Sequence, residues 1–496
     1  MNQRLTLPTA LLLTVPPLMW AGNAVVGRLA ADLIPPMTLN FLRWLIAFFI
    51  LLPLAWQILR PSSTLWPAWR RYLLLGFLGV GCYNALMYLA LHTSTALNVT
   101  LVGASVPRAA GHRASIVLSM RRLDTISDID ASSMQVTTGA GVTIADWQRA
   151  ASAGGIDTPI DFAARDSATV GGAIATNAGG SRVVRFGTMR QQVVGVEAVL
   201  ADGTVVGSLA GLPKETVGLH WPSLLAGSEG TLAVITAARL RLVPRFEYVT
   251  TMLAAMDSVE AARETLALVR SELGSLDSIE MMFPEAMELV SVHLGTGAPV
   301  DVPAGGVALL IECADHADPT AGLHAVFDTI DGAVATAVAT GGPRRQQLLA
   351  FRDRITEAIA AAATASGTPT YKLDVAVPVA AIEGVVDLAR RVARRQQARL
   401  IPFGHLAEGN LHLNFLGATN PDEIADTVLP VVASLGGTIS AEHGVGVAKT
   451  TWMHLVRSTG DLAAQQSIKR ALDPNGILNP GVLDPSMGRV DDDQVP

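Results

Sequence analysis

Hydropathy divides this chain near residue 107. Before it, the apolar runs Leu7–Leu33, Met37–Leu59 and Tyr72–Leu91 each reach or approach the ~20 residues a helix needs to cross a bilayer. Trp20, Trp44, Trp56, Trp66 and Trp69 fall largely near the ends of these runs or between them, as interfacial aromatics do. This predicts an all-α transmembrane segment over residues 1–107. Beyond it the apolar runs shorten. Ser115–Met120, Met134–Thr138, Val193–Leu200 and Leu232–Val243 read as strands, as do Val307–Ile311 and Leu411–Phe415. Val259–Leu273 and Gly384–Gln397 repeat their apolar residues at helical spacing. The prediction is an α+β portion in two domains, 108–246 and 247–484, with a boundary near Pro244-Arg-Phe246. The aspartate-rich end, 485–496, is expected to be a disordered tail.

Charge sharpens the same division. Residues 1–107 hold six arginines, no lysine and one acid, Asp32, for a net +5, whereas the whole chain carries −7. An acidic remainder argues against nucleic acid as a partner. Arg4 precedes the first run and Arg60, Arg70 and Arg71 follow the second, so the positive-inside bias places both on the cytoplasmic side of a cell membrane. The side of the remainder stays open. Arg28 and Arg43, inside or near the runs, either line a cavity or snorkel to the interface. Cys82 and Cys313 are the only cysteines, too few for a thiolate zinc or iron–sulfur site.

Candidate chemistry concentrates in two places. Ser167-Ala-Thr-Val-Gly171-Gly172-Ala-Ile-Ala-Thr176-Asn177-Ala-Gly179-Gly180 is a belt of small residues, joined downstream by Gly227-Ser-Glu-Gly230-Thr231. Glycines let backbone N–H groups approach a phosphate or pyrophosphate, although a lone Gly-Gly pair equally marks a tight, packed turn. The second place is Gly404-His405-Leu-Ala-Glu408-Gly409-Asn410-Leu-His412-Leu-Asn414. If Glu408-Gly409 is a two-residue hairpin loop, His405 pairs with His412, their Cβ atoms ~5 Å apart. Asn414 then projects from the same face. Two such imidazoles can grip one transition-metal ion. Glu442-His443 can add a carboxylate and a further imidazole.

The belt, with Pro159-Ile-Asp161, Arg185-Phe-Gly187, Val199-Leu-Ala-Asp-Gly203-Thr204 and Gly227–Thr231, resembles FAD-linked oxidases of the vanillyl-alcohol-oxidase/PCMH fold. Within that fold the chain is similar to the D-2-hydroxyacid dehydrogenases, which act on glycolate, D-lactate or D-2-hydroxyglutarate. The resemblance implies a PCMH-type FAD-binding domain followed by an α+β substrate or cap domain. It also implies oxidation of a small 2-hydroxyacid to the 2-oxoacid by hydride transfer to flavin, with a quinone, an electron-transfer flavoprotein or oxygen as acceptor. Asp161, Ser167, Gly171, Gly172, Thr176, Asn177, Gly179, Gly180, Gly227, Gly230, Thr231 and Asn479 would then hold FAD. His405, His412 and Glu442 would bind a divalent metal, often zinc, and His443 would be the base. Arg352, Thr356 and Lys372, with Asn414, would hold the substrate. Read alone, Arg352 is a solvated helix charge and Asn479 a helix-ending turn.

The first hundred residues bear a second resemblance. Trp20-Ala-Gly-Asn-Ala-Val-Val-Gly-Arg28, Phe41-Leu-Arg-Trp44 and Tyr83-Asn-Ala-Leu-Met-Tyr-Leu-Ala90 are similar to the start of EamA-type drug/metabolite transporters. The alternatives to a membrane-tethered dehydrogenase are therefore a transporter-class protein with a passenger domain and an inactive fusion product. The flavin enzymes normally open with a Gly-Gly-Asn-Thr loop that wraps the pyrophosphate. Here Asn98-Val-Thr100-Leu-Val-Gly103 stands at that place, with Ala96-Leu97 where the glycines belong. The FAD domain thus reads as incomplete, with membrane lipid as a further partner. A protein of residues 108–496 is expected to bind FAD weakly or not at all; stoichiometric flavin absorbance after its purification would refute this.

Overall fold

The structure is a computed structural model that describes residues 117–483. The three apolar runs and the acidic tail lie outside the described residues. Among the described residues, no helix is long and apolar enough to cross a membrane.

Among the described residues thirteen strands form three sheets: β1 Gln135–Gly139, β2 Ile156–Asp157, β3 Val193–Val199, β4 Val205–Ser208, β5 Val234–Arg241, β6 Val243–Pro244, β7 Tyr248–Met256, β8 Leu276–Met282, β9 Val307–Asp315, β10 Ala333–Ala339, β11 Thr370–Ala376, β12 Arg399–His405 and β13 Asn410–Leu416. A four-stranded sheet runs β1-β5-β3-β4, a seven-stranded sheet β10-β7-β9-β8-β12-β13-β11, and β2 pairs with β6. Ser115–Met120 is a correction: residues 117–120 form no strand. The outer edge of β1 is met instead by the following segment, where Ser127 N donates to Thr137 O (2.9 Å) and Gly139 N to Thr125 O (2.8 Å).

Each large sheet has its own core. The smaller packs Val136, Val196, Ile235, Ala238 and Leu240 around the fully buried Trp147 and Ile174. The larger is covered on both faces, and the alternation within a strand shows how. In β7, Met252, Ala254 and Met256 face the helices Val259–Glu272, Ile382–Arg395 and Pro421–Ser434. Leu253 and Ala255 face Pro284–Leu294, Gly342–Asp353 and Ile355–Ser366. A strand buried on both sides reads as a continuous apolar run, so the few charged residues inside these strands stand out.

Charged contacts join the two halves. Arg182 donates to both carboxylate oxygens of Asp277 in β8 (2.8 and 3.1 Å) and to Asp157 in β2 (2.9 Å), and Arg185 also reaches Asp277 (3.2 Å). The Arg182 and Asp277 side chains are only 12% and 11% exposed. Removing one partner of a buried pair strands the other charge, which costs about 3–5 kcal/mol. Arg182→Ala is therefore expected to lower unfolding free energy by about 3 kcal/mol in denaturant titration. Arg149→Ala, which breaks the exposed pair with Asp146, should change it by less than ~1 kcal/mol.

Candidate active site

One face of the seven-stranded sheet, the face of Leu253 and Ile401, carries a polar row across its strands. Thr251 on β7 pairs with Glu312 on β9, and Glu312 with Ser278 on β8. Glu280 on β8 pairs with His405 on β12, and His412 on β13 with Asp374 on β11. The period of two along a strand puts all of them on that one face.

The predicted hairpin register is corrected. Leu406–Glu408 forms a short 3₁₀ turn, so His405 pairs with Asn410 and it is Phe403 that faces His412. Gly409 explains the longer loop: it has φ +65° and packs where a Cβ would lie 1.8 Å from Val377 O. The register moves by two residues, so both histidines keep the same face and become diagonal neighbours, with ring centroids 5.5 Å apart. Glu442 meets both from a separate loop. His405 Nε2 lies 3.4 Å from Glu442 Oε1, and His412 Nε2 3.9 Å from Oε2.

Each histidine is backed on its other nitrogen. His405 Nδ1 contacts Glu280 Oε1 at 2.8 Å, and His412 Nδ1 lies 3.6 Å from Asp374 Oδ1. A carboxylate behind an imidazole aims the opposite nitrogen inward, as around metal ions. Ligand atoms of His405, His412 and Glu442 lie within 4.8 Å of one another, and two imidazoles with a carboxylate suit a borderline divalent ion. Burial opposes charge on His405, but Glu280 and Glu442 hold its pKa well above the ordinary value. Burial dominates at His412, pushing it down to about 4. Burial also opposes ionisation of Glu442, yet the two histidines bring it down to about 2. The His443 ring stacks on His412 with centroids 5.5 Å apart, its Nδ1 3.8 Å from Asp374 Oδ2 and its side chain 55% exposed.

The small-residue belt reaches this cluster. Gly180 N donates to Glu442 Oε1 at 2.7 Å, and a Cβ at Gly179 would lie 2.8 Å from the same oxygen. Gly227 N and Glu229 N donate to Ile174 O and Ala175 O, at the end of helix Val170–Thr176, so the two glycine motifs are neighbours. Asn479 joins them through Glu229 O. The start of that helix, however, is engaged with protein: Val170 N donates to Val142 O, Gly171 N to Ala140 O and Gly172 N to Thr169 Oγ1. Gly171 serves close packing, since a Cβ there would lie 2.8 Å from Ala140 Cβ. Thr176 and Thr231 hydroxyls donate to Gly172 O and Ser228 O, and Asn177 Oδ1 accepts from Thr188 and Arg190 N. Ser228 Oγ is buried without a partner. In this second motif Gly227 and Gly230 take φ +83° and +69°, and its amides too are engaged with protein, Ser228 N donating to Leu225 O and Thr231 N to Ser228 O. Ser167 is exposed, and Asp161 is bound to Arg165 and Gln148.

The residues predicted to hold substrate are spread wider. Arg352 donates to Asp353 (2.8 Å) and Glu312 (3.4 Å). Thr356 is exposed on the next helix, and Lys372 is exposed on edge strand β11 opposite Asn414. Asn414 Nδ2 donates to Ile401 O at 3.1 Å. Among the described residues, none of Arg352, Thr356 and Lys372 hydrogen-bonds to another.

Sequence reasoning missed four acids. Glu280, Glu312 and Asp374 are buried acids within largely apolar strands, which is itself the signal that could have found them. Glu229 takes the amides of Val445 (2.7 Å) and Gly446 (2.8 Å), tying the Gly227–Thr231 motif to the loop that carries Glu442.

Residues 245–483 match the family "FAD linked oxidases, C-terminal domain", and residues 84–208 match "FAD binding domain". The EamA-like transporter family matches residues 7–121, so the last two share residues 84–121. D-2-hydroxyglutarate dehydrogenase of Xanthomonas citri pv. viticola is 34% identical, covering 74% of this chain and 79% of that protein. The mitochondrial D-2-hydroxyglutarate dehydrogenase of Danio rerio is 32% identical over 77% of this chain and 72% of its own length. Glycolate oxidase subunit GlcD of Bacillus subtilis is 29% identical over 77% and 81%. In fold, the chain is similar to p-cresol methylhydroxylase, with TM-score 0.57 at 14% identity over 74% of this chain and 79% of that one. The PCMH-type fold, the paired family matches and these relatives agree: the chain belongs to the FAD-linked oxidoreductases of the D-2-hydroxyacid dehydrogenase type.

Proposed function

We propose that this protein oxidises a small D-2-hydroxyacid to its 2-oxoacid, with metal assistance, at the meeting point of the glycine belt and the histidine pair. One observation carries the reading: Glu442, which faces both histidine Nε2 atoms, also accepts the amide of Gly180 from the belt. The flavin-side motif and the candidate metal ligands therefore share one carboxylate. FAD, when bound along Gly179, Gly180 and Gly227–Thr231, supplies a hydride acceptor for the substrate α-hydrogen. A divalent cation such as zinc, held by His405, His412 and Glu442, supplies Lewis acidity that makes a hydroxyl easier to deprotonate.

The chain's own groups do the rest. His443 takes the hydroxyl proton: its ring is exposed, and its Nδ1 faces Asp374, which leaves Nε2 for the substrate. Arg352 offers a planar fork to the substrate carboxylate; Glu312 and Asp353 already hold it, so substrate competes with them. Lys372, Thr356 and Asn414 would add the remaining substrate contacts. The electrons leave to a quinone, an electron-transfer flavoprotein or oxygen. A tether to the cell membrane rests on the EamA-like match and on the apolar runs before residue 107. The runner-up is a fusion product without turnover, favoured by the overlap of the two family matches.

Purified full-length protein is expected to show flavin absorbance that bleaches anaerobically with D-2-hydroxyglutarate, D-lactate or glycolate. Protein without flavin moves the case to the runner-up, and flavin that none of these acids bleaches removes the substrate class. His405→Ala and His412→Ala should each lose bound metal by elemental analysis, and unchanged content would eliminate the site. Arg352→Lys keeps the charge but loses the fork, so KM should rise about tenfold, roughly 1.4 kcal/mol, with kcat less affected. An unchanged KM would remove Arg352 from substrate binding.

A further inference from the structure

Asp374 lies at the junction of every element that builds the candidate metal centre. Its carboxylate is buried at 2% exposure. Oδ2 accepts three consecutive backbone amides, from Ala441 (3.2 Å), Glu442 (2.8 Å) and His443 (2.9 Å). Oδ1 accepts Asn410 Nδ2 at 2.9 Å and lies 3.6 Å from His412 Nδ1. Its carbonyl takes the Lys449 ammonium at 3.0 Å. Two residues on, Ala376 exchanges backbone hydrogen bonds with Thr438, so the 438–443 segment runs along the end of β11.

Asp374, His412 and His443 also place ligand atoms within 4.8 Å of one another, which makes Asp374 a rival ligand on distance alone. Its hydrogen bonds decide otherwise. A carboxylate oxygen already accepting three amide protons has no lone pair directed at a cation. Oδ1 is held by an amide and aimed at the far nitrogen of His412. By contrast, Glu442 accepts one backbone amide, from Gly180, and turns both oxygens toward the histidine Nε2 atoms.

We propose that Asp374 is the positioning residue of the metal centre and not one of its ligands: it fixes the loop that presents Glu442 and His443, and it orients His412. This rests on the reading that His405, His412 and Glu442 hold a divalent metal. The fixing precedes metal, because the three amides find their acceptor within the protein. The inference also explains the acid in Tyr371-Lys-Leu-Asp374, for which the oxidation itself gives no direct task.

Co²⁺ titration of the full-length metal-free protein, read by visible absorption and by ions bound per chain, tests it. Asp374→Asn should retain one ion while its Kd rises about 10–100-fold, the loss typical of an orienting partner. The Co²⁺ spectrum should shift as His412 loses its aim. Glu442→Gln should lose the ion. A Kd within twofold of wild type in Asp374→Asn overturns this inference and leaves the metal reading intact. An ion lost from Asp374→Asn but kept by Glu442→Gln makes Asp374 a ligand and also overturns it. Wild-type protein that binds no Co²⁺ overturns both. Hydrogen exchange on the metal-free wild type covers the case of a variant that does not fold. The amides of Ala441, Glu442 and His443 should be protected, and exchange at unstructured rates would overturn the prior fixing.

Discussion

An ionised carboxylate beneath a layer of helices persists only if its oxygens are fully engaged, and this requirement organises the larger domain. Glu280, Glu312 and Asp374 all sit on the one face of a sheet covered on both sides. Glu312 is met by Arg345, Arg352 and Thr251, Glu280 by His405, and Asp374 by three amides and Asn410. Burial works against ionisation of Asp374, yet His443, His412, Lys449 and the amides hold it well below the usual carboxylate range. The same acids stand behind His405, His412 and Arg352. Stability and chemistry thus draw on one set of hydrogen bonds, which narrows the substitutions the row can accept.

Much of this could be read from the chain, and what escaped has physical causes. Period-two alternation placed His405 and His412 on one face, and the structure keeps them there although the register differs by two. The loop length depended on Gly409 fitting against Val377, a tertiary contact that no local pattern encodes. Residues 117–120 form no strand, and it is the next segment, through Thr125 and Ser127, that bonds along β1. The glycine pairs pointed to close backbone approach, and at Gly171 the partner is Ala140. At Gly179 and Gly180 it is a carboxylate from 262 residues further along the chain. Asp374 escaped because its partners are amides 67 to 69 residues away.

The Glu442–Gly180 contact has a consequence for how the protein is made. The belt emerges early in synthesis, while Glu442 is one of the last groups of its domain to leave the ribosome. Until that loop arrives, His405 and His412 have no shared carboxylate and Gly180 has no acceptor. Domains condense as units during translation, and contacts of long sequence separation form late. A nascent chain stalled before residue 442 therefore carries the glycine motifs without the carboxylate that joins them to the histidine pair.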